Sequence, residues 1–318
     1  MKKISDFTIS AIVACYKDEK SISIMHKRLT DIFNKIGCKY EIIFVNDGSP
    51  DNSEAVLEKI CLEDINTTAI FHSRNFNSQN AFTSGMKQSM GDAVALLDGD
   101  LQDPPELIDD FVKKWMEGYD VVYGSRINRE TSKIMNFSYK FFYRIFNKLS
   151  YLEIPLDAGD FSLMDRKVVD SINSLNESDR FIRGLRAWTG FKQIGVPYSR
   201  PERLFGKSTN NLFRNIQWAK KGIFSFSYLP LEIISFFSYL IVLISCIGLI
   251  IYTILYFIKD ETPKGITTLI VLVLFLGGMQ LLSISILSEY IGKILEETKK
   301  RPNYIIKKIL NNRKKNKK

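Results

Sequence analysis

The sequence predicts an α/β domain built on a mostly parallel sheet, followed by an amphipathic interface helix and two membrane-spanning helices. Three observations lead there. Short β-branched runs alternate with helical segments through the first third of the chain. Residues 233–258 and 266–288 carry no charged side chain over 26 and 23 positions, each longer than the roughly 20 residues that span a bilayer core. Charge is also divided along the chain: residues 1–199 hold 25 Lys/Arg against 28 Asp/Glu, net −3, whereas residues 200–318 hold 19 against 7, net +12. A mildly acidic folded domain joined to something that meets an anionic surface has this pattern.

Element by element, FTISAIVAC at 7–15 reads as a strand, 19–36 as a helix and YEIIFV at 40–45 as a second strand. The turn NDGSPDNS, 46–53, supplies loop residues and an N-cap for a helix at 53–63. A strand at 67–72, a helix at 78–90 and a strand at 93–97 follow. In such sheets ligands bind beyond the carboxyl ends of the strands. Residues 14–19, 46–51 and 98–106 all fall there. No G-x-G-x-x-G or Walker-type loop is present, which argues against a dinucleotide or P-loop site.

The two apolar stretches are joined only by KDETPKG, 259–265, and so form a hairpin. The connecting loop carries two Lys/Arg, the preceding segment 200–222 six, and the tail 293–318 eleven. The positive-inside rule then puts the N-terminal domain and both termini in the cytoplasm of an inner or plasma membrane protein. Two basic amphipathic segments, 133–149 and 209–228, read as helices on the bilayer surface or as ordinary core-facing helices with a solvated basic side. The expected division is a cytosolic domain over 1–208, a juxtamembrane helix over 209–230, the hairpin over 231–290 and a basic cytosolic tail over 291–318, disordered at NNRKKNKK.

The four cysteines, Cys15, Cys38, Cys61 and Cys246, are far apart in sequence, and only two histidines, His26 and His72, are present. A zinc site is excluded on spacing, and reduced thiols are expected. The N-terminus MKKISDFTIS has a basic start with no apolar run behind it, so no signal peptide is expected. No nucleic-acid partner is expected either.

The most informative stretch is ALLDGDLQDPPEL, 95–107, where an apolar strand ends in closely spaced carboxylates. Asp98 and Asp100, two residues apart on a loop with Gly99 between them, can turn toward one hard cation, Mg²⁺ or Mn²⁺, which keeps positions open for substrate phosphate. A solvated acidic turn would look the same in isolation.

The surrounding motifs decide between these. VACYKDE at 13–19, VNDGSPD at 45–51, SRNF at 73–76 and LLDGDLQDPPE at 96–106 together resemble a family-2 glycosyltransferase of the GT-A fold. AGDFSLMDR at 158–166, RFIRG at 180–184, RPERLFGKS at 201–208, the apolar hairpin and RPNY at 301–304 narrow the resemblance to polyprenyl-phosphate glycosyltransferases, over about residues 7–305. The resemblance implies transfer of a hexose from a nucleotide diphosphate-sugar to a polyprenyl phosphate, with inversion. UDP-glucose is the first expected donor, ahead of UDP-galactose and UDP-N-acetylglucosamine. The Lys, Ile and Asn richness points to a bacterial chain and undecaprenyl phosphate.

By the same resemblance, Tyr16, Glu19, Asp47 and Arg74 bind the donor nucleotide, and Asp98 and Asp100 form the metal and diphosphate site. Asp160 lies beside the reacting centre, and Arg200, Arg203, Lys207 and Ser208 bind phosphate of donor or acceptor. A homo-oligomer, a tetramer among the arrangements considered, is implied through the hairpin, where Gly277-Gly278 permits close helix approach. The chain departs from the pattern at Asn46, where an acid is usual, at Ser162, where Arg is usual after GDF, and at Asn77, where Gly is usual. Two other readings stand beside this one. A processive polysaccharide synthase would need a Gln-x-x-Arg-Trp signature that GLRAW, 184–188, does not match. An inactive membrane-bound nucleotide-sugar-binding protein would share the motifs.

Overall fold

A computed structural model describes residues 7–126, 158–201, 204–205, 227–258 and 265–311. The basic segment 133–149, residues 209–226 of the juxtamembrane segment, and Arg203, Lys207 and Ser208 lie outside the described residues.

The predicted alternation is present. Strands β1 (Thr8–Cys15), β2 (Lys39–Asn46), β3 (Thr67–His72) and β4 (Ala93–Asp98) alternate with helices α1 (Glu19–Ile36), α2 (Ser53–Glu63) and α3 (Ser78–Gln88). A short 3₁₀ turn, Pro105–Leu107, leads into α4 (Ile108–Met116) and β5 (Val121–Arg126). After the gap come β6 (Ala158–Asp165), α5 (Arg166–Ser174), α6 (Ile182–Trp188) and β7 (Gln193–Tyr198). With β8 (Ile306–Asn311) from the C-terminal part, the eight-stranded sheet has the order β7-β5-β6-β4-β1-β2-β3-β8. Strands β1 to β4 pair in parallel, and β6 runs antiparallel to both β4 and β5.

Side-chain alternation along the strands builds two cores. On β1, Ile9, Ala11 and Val13 join α1, α2 and α4 on one face, while Ile12 and Ala14 join α3, α5 and α6 on the other. The chain leaves β1 toward β2 and β3 on one side and returns to β4 on the other. The loops after β1 and β4 therefore diverge, and this switch point opens a crevice at the strand ends.

Helices α7 (Leu229–Ile258) and α8 (Ile266–Lys299) are long and apolar enough to cross a membrane, and their most apolar windows are wholly unburied by the protein. A soluble core helix would be covered, so these surfaces require lipid or another chain.

Two expectations about the C-terminal part need correction. The second helix does not stop at 288 but runs unbroken to Lys299, and the tail beyond it is not simply a basic appendage. Strand β8 (Ile306–Asn311) adds antiparallel to β3 and closes that sheet edge. Its side chains hold it there: Leu310 packs against the core, and Lys308 pairs with Glu54 at 2.6 Å and with Glu58. Helix α8 is also tied to the domain. Glu297 accepts from the Ser178 amide at 2.8 Å and its hydroxyl at 3.0 Å, and Lys293 lies 3.4 Å from Asp179. Removing residues 302–318 would expose the β3 edge; the expected result is a fall in Tm of ~5 °C or more by thermal unfolding in detergent.

Candidate active site

The carboxylate cluster is set by strand register. Strands β4 and β6 pair antiparallel with Leu96 opposite Ser162, and continuing that register brings Asp98 opposite Asp160 on the same sheet face. Three residues after Asp98, Leu101 is buried with a left-handed backbone (φ 62°). That conformation costs a leucine roughly 1–2 kcal/mol and is held by burial of its side chain in the core. Asp100 follows Gly99, and its Oδ1 caps the turn by accepting from the Gln102 amide at 3.1 Å. A Cβ at Gly99 would stand 2.9 Å from Asp18 Oδ2 and 3.0 Å from the Ala14 carbonyl, so only glycine lets the β4 loop close on the β1 loop. Outside the cluster, Arg28 of α1 grips Glu106 in a fork, Nε to Oε1 at 2.8 Å, and fixes the far end of the loop.

Four carboxylates thus converge. Asp100 and Asp103 are buried, and Asp98 and Asp160 are partly so. Burial, together with the charges of Asp103, Asp100 and Asp160, pushes the Asp98 carboxyl well above its usual range, against the pull of Arg200. Asp103 is also raised by burial, with Arg200, Arg126 and a 2.9 Å hydrogen bond from the Tyr198 hydroxyl opposing. Burial and Asp103 push Tyr198 itself up to about 12, so it remains a donor at neutral pH. Arg200 approaches from the β7 side, 3.8 Å from Asp100 Oδ2 and 3.9 Å from Asp103 Oδ1, and its buried Nε makes no hydrogen bond.

Asp160 is braced on both oxygens. Oδ2 accepts from Gln79 Nε2 at 2.9 Å and Oδ1 from Arg183 Nε at 3.2 Å. Gln79 is itself locked, because its Oε1 accepts from the Ile182 amide at 2.8 Å. The side chain therefore faces the cluster as an oriented anion rather than as a helix cap.

The β2 and β3 ends form a second group. Asp47 is buried and accepts on Oδ1 from the Phe76 amide at 2.8 Å, with His72 Nδ1 at 2.8 Å. His72 Nε2 lies 2.9 Å from Ser84 Oγ, and its ring stacks on Tyr304 at 5.3 Å and 12°. Gly48 (φ 62°) lets this loop pass against the Arg74 backbone, where a Cβ would stand 2.4 Å from the carbonyl carbon. Arg74 is exposed and lies over the Phe76 ring at 4.2 Å. A cavity of about 310 Å³ opens between Arg74–Asn77, Asn80 and Pro302–Asn303. Another of about 280 Å³ lies over Lys17–Ser21, Asp51 and Phe205. Tyr16 is exposed at the mouth of the β1 loop, and Glu19 starts α1 and accepts from the Asn52 amide at 3.3 Å.

Residues 10–172 match the family described as glycosyl transferase family 2. The chain belongs to that family. It is 40% identical to an uncharacterized glycosyltransferase, YkcC, of Bacillus subtilis over 94% of this chain and 93% of that protein. It is 35% identical to a protein named prophage bactoprenol glucosyl transferase homolog of Escherichia coli, over 95% of this chain and 99% of that protein. Among solved structures, glucosyl-3-phosphoglycerate synthase from Mycobacterium tuberculosis aligns with a TM-score of 0.46 at 16% identity, over 69% of this chain and 78% of that chain.

In this glycosyltransferase the structure brings Asp98, Asp100, Asp160 and Arg200 together. Asp47 is placed differently from a simple ligand: it holds the 74–77 turn through Phe76 and His72, while Asn46 makes the Asx turn by accepting from the Ser49 amide at 2.8 Å. The helix-capping oxygen at α2 comes from Asp51, which accepts from Ser53, and not from the N-cap residue Asn52. Sequence reasoning left out Asp103, Tyr198, Gln79, Arg126, Arg183 and His72. Of these, Asp103, within LLDGDLQDPPE, and Arg183, within RFIRG, lay in motifs that had been singled out.

The raised Asp98 carboxyl has a consequence for stability. A group whose folded pKa exceeds its unfolded value of about 4 favours folding when protonated, so the destabilisation grows as pH rises above that value. Asp98→Asn is expected to raise Tm of the metal-free enzyme at pH 7 by a few degrees, to lose that gain near pH 4, and to lose activity. Thermal melts at both pH values check this.

Proposed function

We propose that this enzyme transfers glucose from UDP-glucose to undecaprenyl phosphate at the cytosolic face of the membrane, giving the polyprenyl-phosphate sugar with inversion and releasing UDP. The observation that carries the reading is the placement of an acidic cleft in one chain with two uncovered apolar helices. Such a protein meets a soluble donor and a lipid acceptor together. The name carried by relatives at 35–36% identity, bactoprenol glucosyl transferase, supports the sugar and the lipid. The sparse basic residues of the hairpin loop, two against six and eleven in the flanks, support cytoplasmic termini.

The residues fit a divalent cation, Mg²⁺ or Mn²⁺, held by Asp98 and Asp100. Burial, and then repulsion from Asp103, Asp100 and Asp160, raises Asp98, and a cation would offset both. Among the described residues no group of three His, Cys, Asp or Glu could hold an ion unaided. Two carboxylates with the remaining positions taken by substrate phosphate is the usual arrangement for Mg²⁺. Such an ion supplies charge stabilisation to the departing diphosphate.

The chain's own groups do the rest. An oxygen of the acceptor phosphate forms a bond to the anomeric carbon while that carbon's bond to the diphosphate oxygen breaks, and the electron pair leaves with UDP. A phosphate monoester is largely dianionic at neutral pH, so no strong base is needed. Asp160, braced by Gln79 and Arg183, orients the acceptor and stabilises positive charge on the sugar. Arg200, with an unused Nε beside the cluster, takes substrate phosphate. Arg203, Lys207 and Ser208 are assigned the same role from their motif alone. Tyr16, Glu19 and Arg74 meet the nucleotide, Arg74 from the turn that Asp47 holds. A homo-oligomer through the hairpin is supported by Gly277 and Gly278, where a Cβ would meet nothing within 4 Å.

Purified full-length protein should convert undecaprenyl phosphate and UDP-glucose to a glucosylated lipid and UDP in equal amounts, faster than with UDP-galactose or UDP-N-acetylglucosamine. Chelation should abolish turnover, and Asp100→Ala should lower kcat by about 10²–10³-fold. Undiminished transfer after chelation, or lipid product from none of the three donors, defeats the reading.

A further inference from the structure

Arg186 is the least explained group among the described residues. Its side chain is fully buried, and Nε, Nη1 and Nη2 all lack a hydrogen-bond partner. Buried guanidinium groups are normally paired, so an orphaned one calls for a reason. Its guanidinium lies over the face of Tyr123, whose ring centroid is 5.1 Å from Cζ. Burial pulls the group down to about 10, with the Asp160 carboxylate the largest opposing attraction, so it stays charged at neutral pH.

Its surroundings all lead to Asp160. Arg183 lies three residues earlier on α6, on the same helix face, and donates to Asp160 Oδ1 and to the Ala158 carbonyl, each at 3.2 Å. Two arginines one turn apart thus act on one carboxylate, Arg183 by direct contact and Arg186 through space, although they repel each other. Across the sheet, Tyr123 pairs with Ser162, which shares a face with Asp160 two residues away. Ser162 is fully buried, and its hydroxyl donates back to the Asp160 carbonyl at 2.8 Å. A long cationic side chain at position 162 would run over Tyr123 into the volume that the Arg186 guanidinium occupies.

We propose that Arg186 is a positioning residue: from α6 it supplies the buried positive charge that holds the Asp160 carboxylate in place against Asp98, and Ser162 is small because that space is taken. The inference rests on Asp160 acting at the reacting centre. It gives position 186 a role that the motif GLRAW does not signal, and it makes positions 162 and 186 alternative sources of one charge.

The test is a cycle of Arg186→Val, Ser162→Arg and the double variant, read by kcat, donor KM and Tm in the glucosyl-transfer assay. Arg186→Val should lower kcat about 30-fold or more while donor KM stays within about 3-fold, as expected for loss of an interaction made in the transition state. Ser162→Arg alone should also impair the enzyme, since two guanidinium groups would compete for one space. The double variant should recover to within about 5-fold of wild type, a reversal of sign that independent sites do not give. With Asp160→Asn already present, Arg186→Val should change kcat little further.

Arg186→Val at wild-type kcat, or a double variant no better than the worse single one, overturns the proposal. If Arg186→Val does not yield folded protein, the double variant decides: folded and active supports the proposal, and folded but inactive or unfolded overturns it. An inactive wild type would instead remove the proposed function, which separates the two failures.

Discussion

Electrostatic repulsion among carboxylates is the constraint on which the rest of this structure depends. Asp98, Asp100, Asp103 and Asp160 are brought into one half-buried place by the switch point of the sheet and by the antiparallel insertion of β6 beside β4. In water such a cluster would spread apart. Here it cannot, because each member is tied to an element that is itself anchored: Leu101 in the core, Glu106 on Arg28, Asp103 on Tyr198, Asp160 on Gln79 and Arg183. Strain of this kind at a functional site stores affinity for a compensating positive charge.

The compensation is supplied from several directions. Arg200 lies just outside hydrogen-bonding range of Asp100 and Asp103, and Arg126 Nε reaches the Tyr198 hydroxyl at 3.4 Å behind Asp103. Arg183 and Arg186 stand on the opposite sheet face with Asp160. A cleft with acid in the middle and arginine at the margins can hold a cation and phosphates together, which two polyanionic substrates require.

The membrane anchor is part of the same arrangement. Helix α8 leaves the bilayer-length stretch without a break and fastens through Glu297 and Lys293 to residues 178–179, a few positions before α6 begins. The chain then returns as β8, and Tyr304 stacks on the histidine that holds Asp47. Both halves of the cleft are thus in mechanical contact with the segment that emerges from the hairpin. The distance between lipid and donor is set by packed structure rather than by a free linker.

Much of this was legible from residues alone. Alternating apolar runs settled β1 through β4 to within a residue at most ends, because hydrophobic periodicity is a local property. Charge-free length settled the two long helices, because a bilayer imposes one thickness. The pairing of Asp98 with Asp100 was visible because both lie on one loop. Other features are non-local and lie beyond periodicity and spacing. That Asp160 faces Asp98 depends on a register between strands more than sixty residues apart. That β8 closes the sheet depends on an exposed edge at β3, which no property of IKKILN announces. That Arg186 is buried against Tyr123 depends on α6 packing its face onto β5 and β6. Composition and spacing determined which chemistry the chain carries; only the tertiary structure decided which charges meet, because opposed charges act through space and not along the sequence.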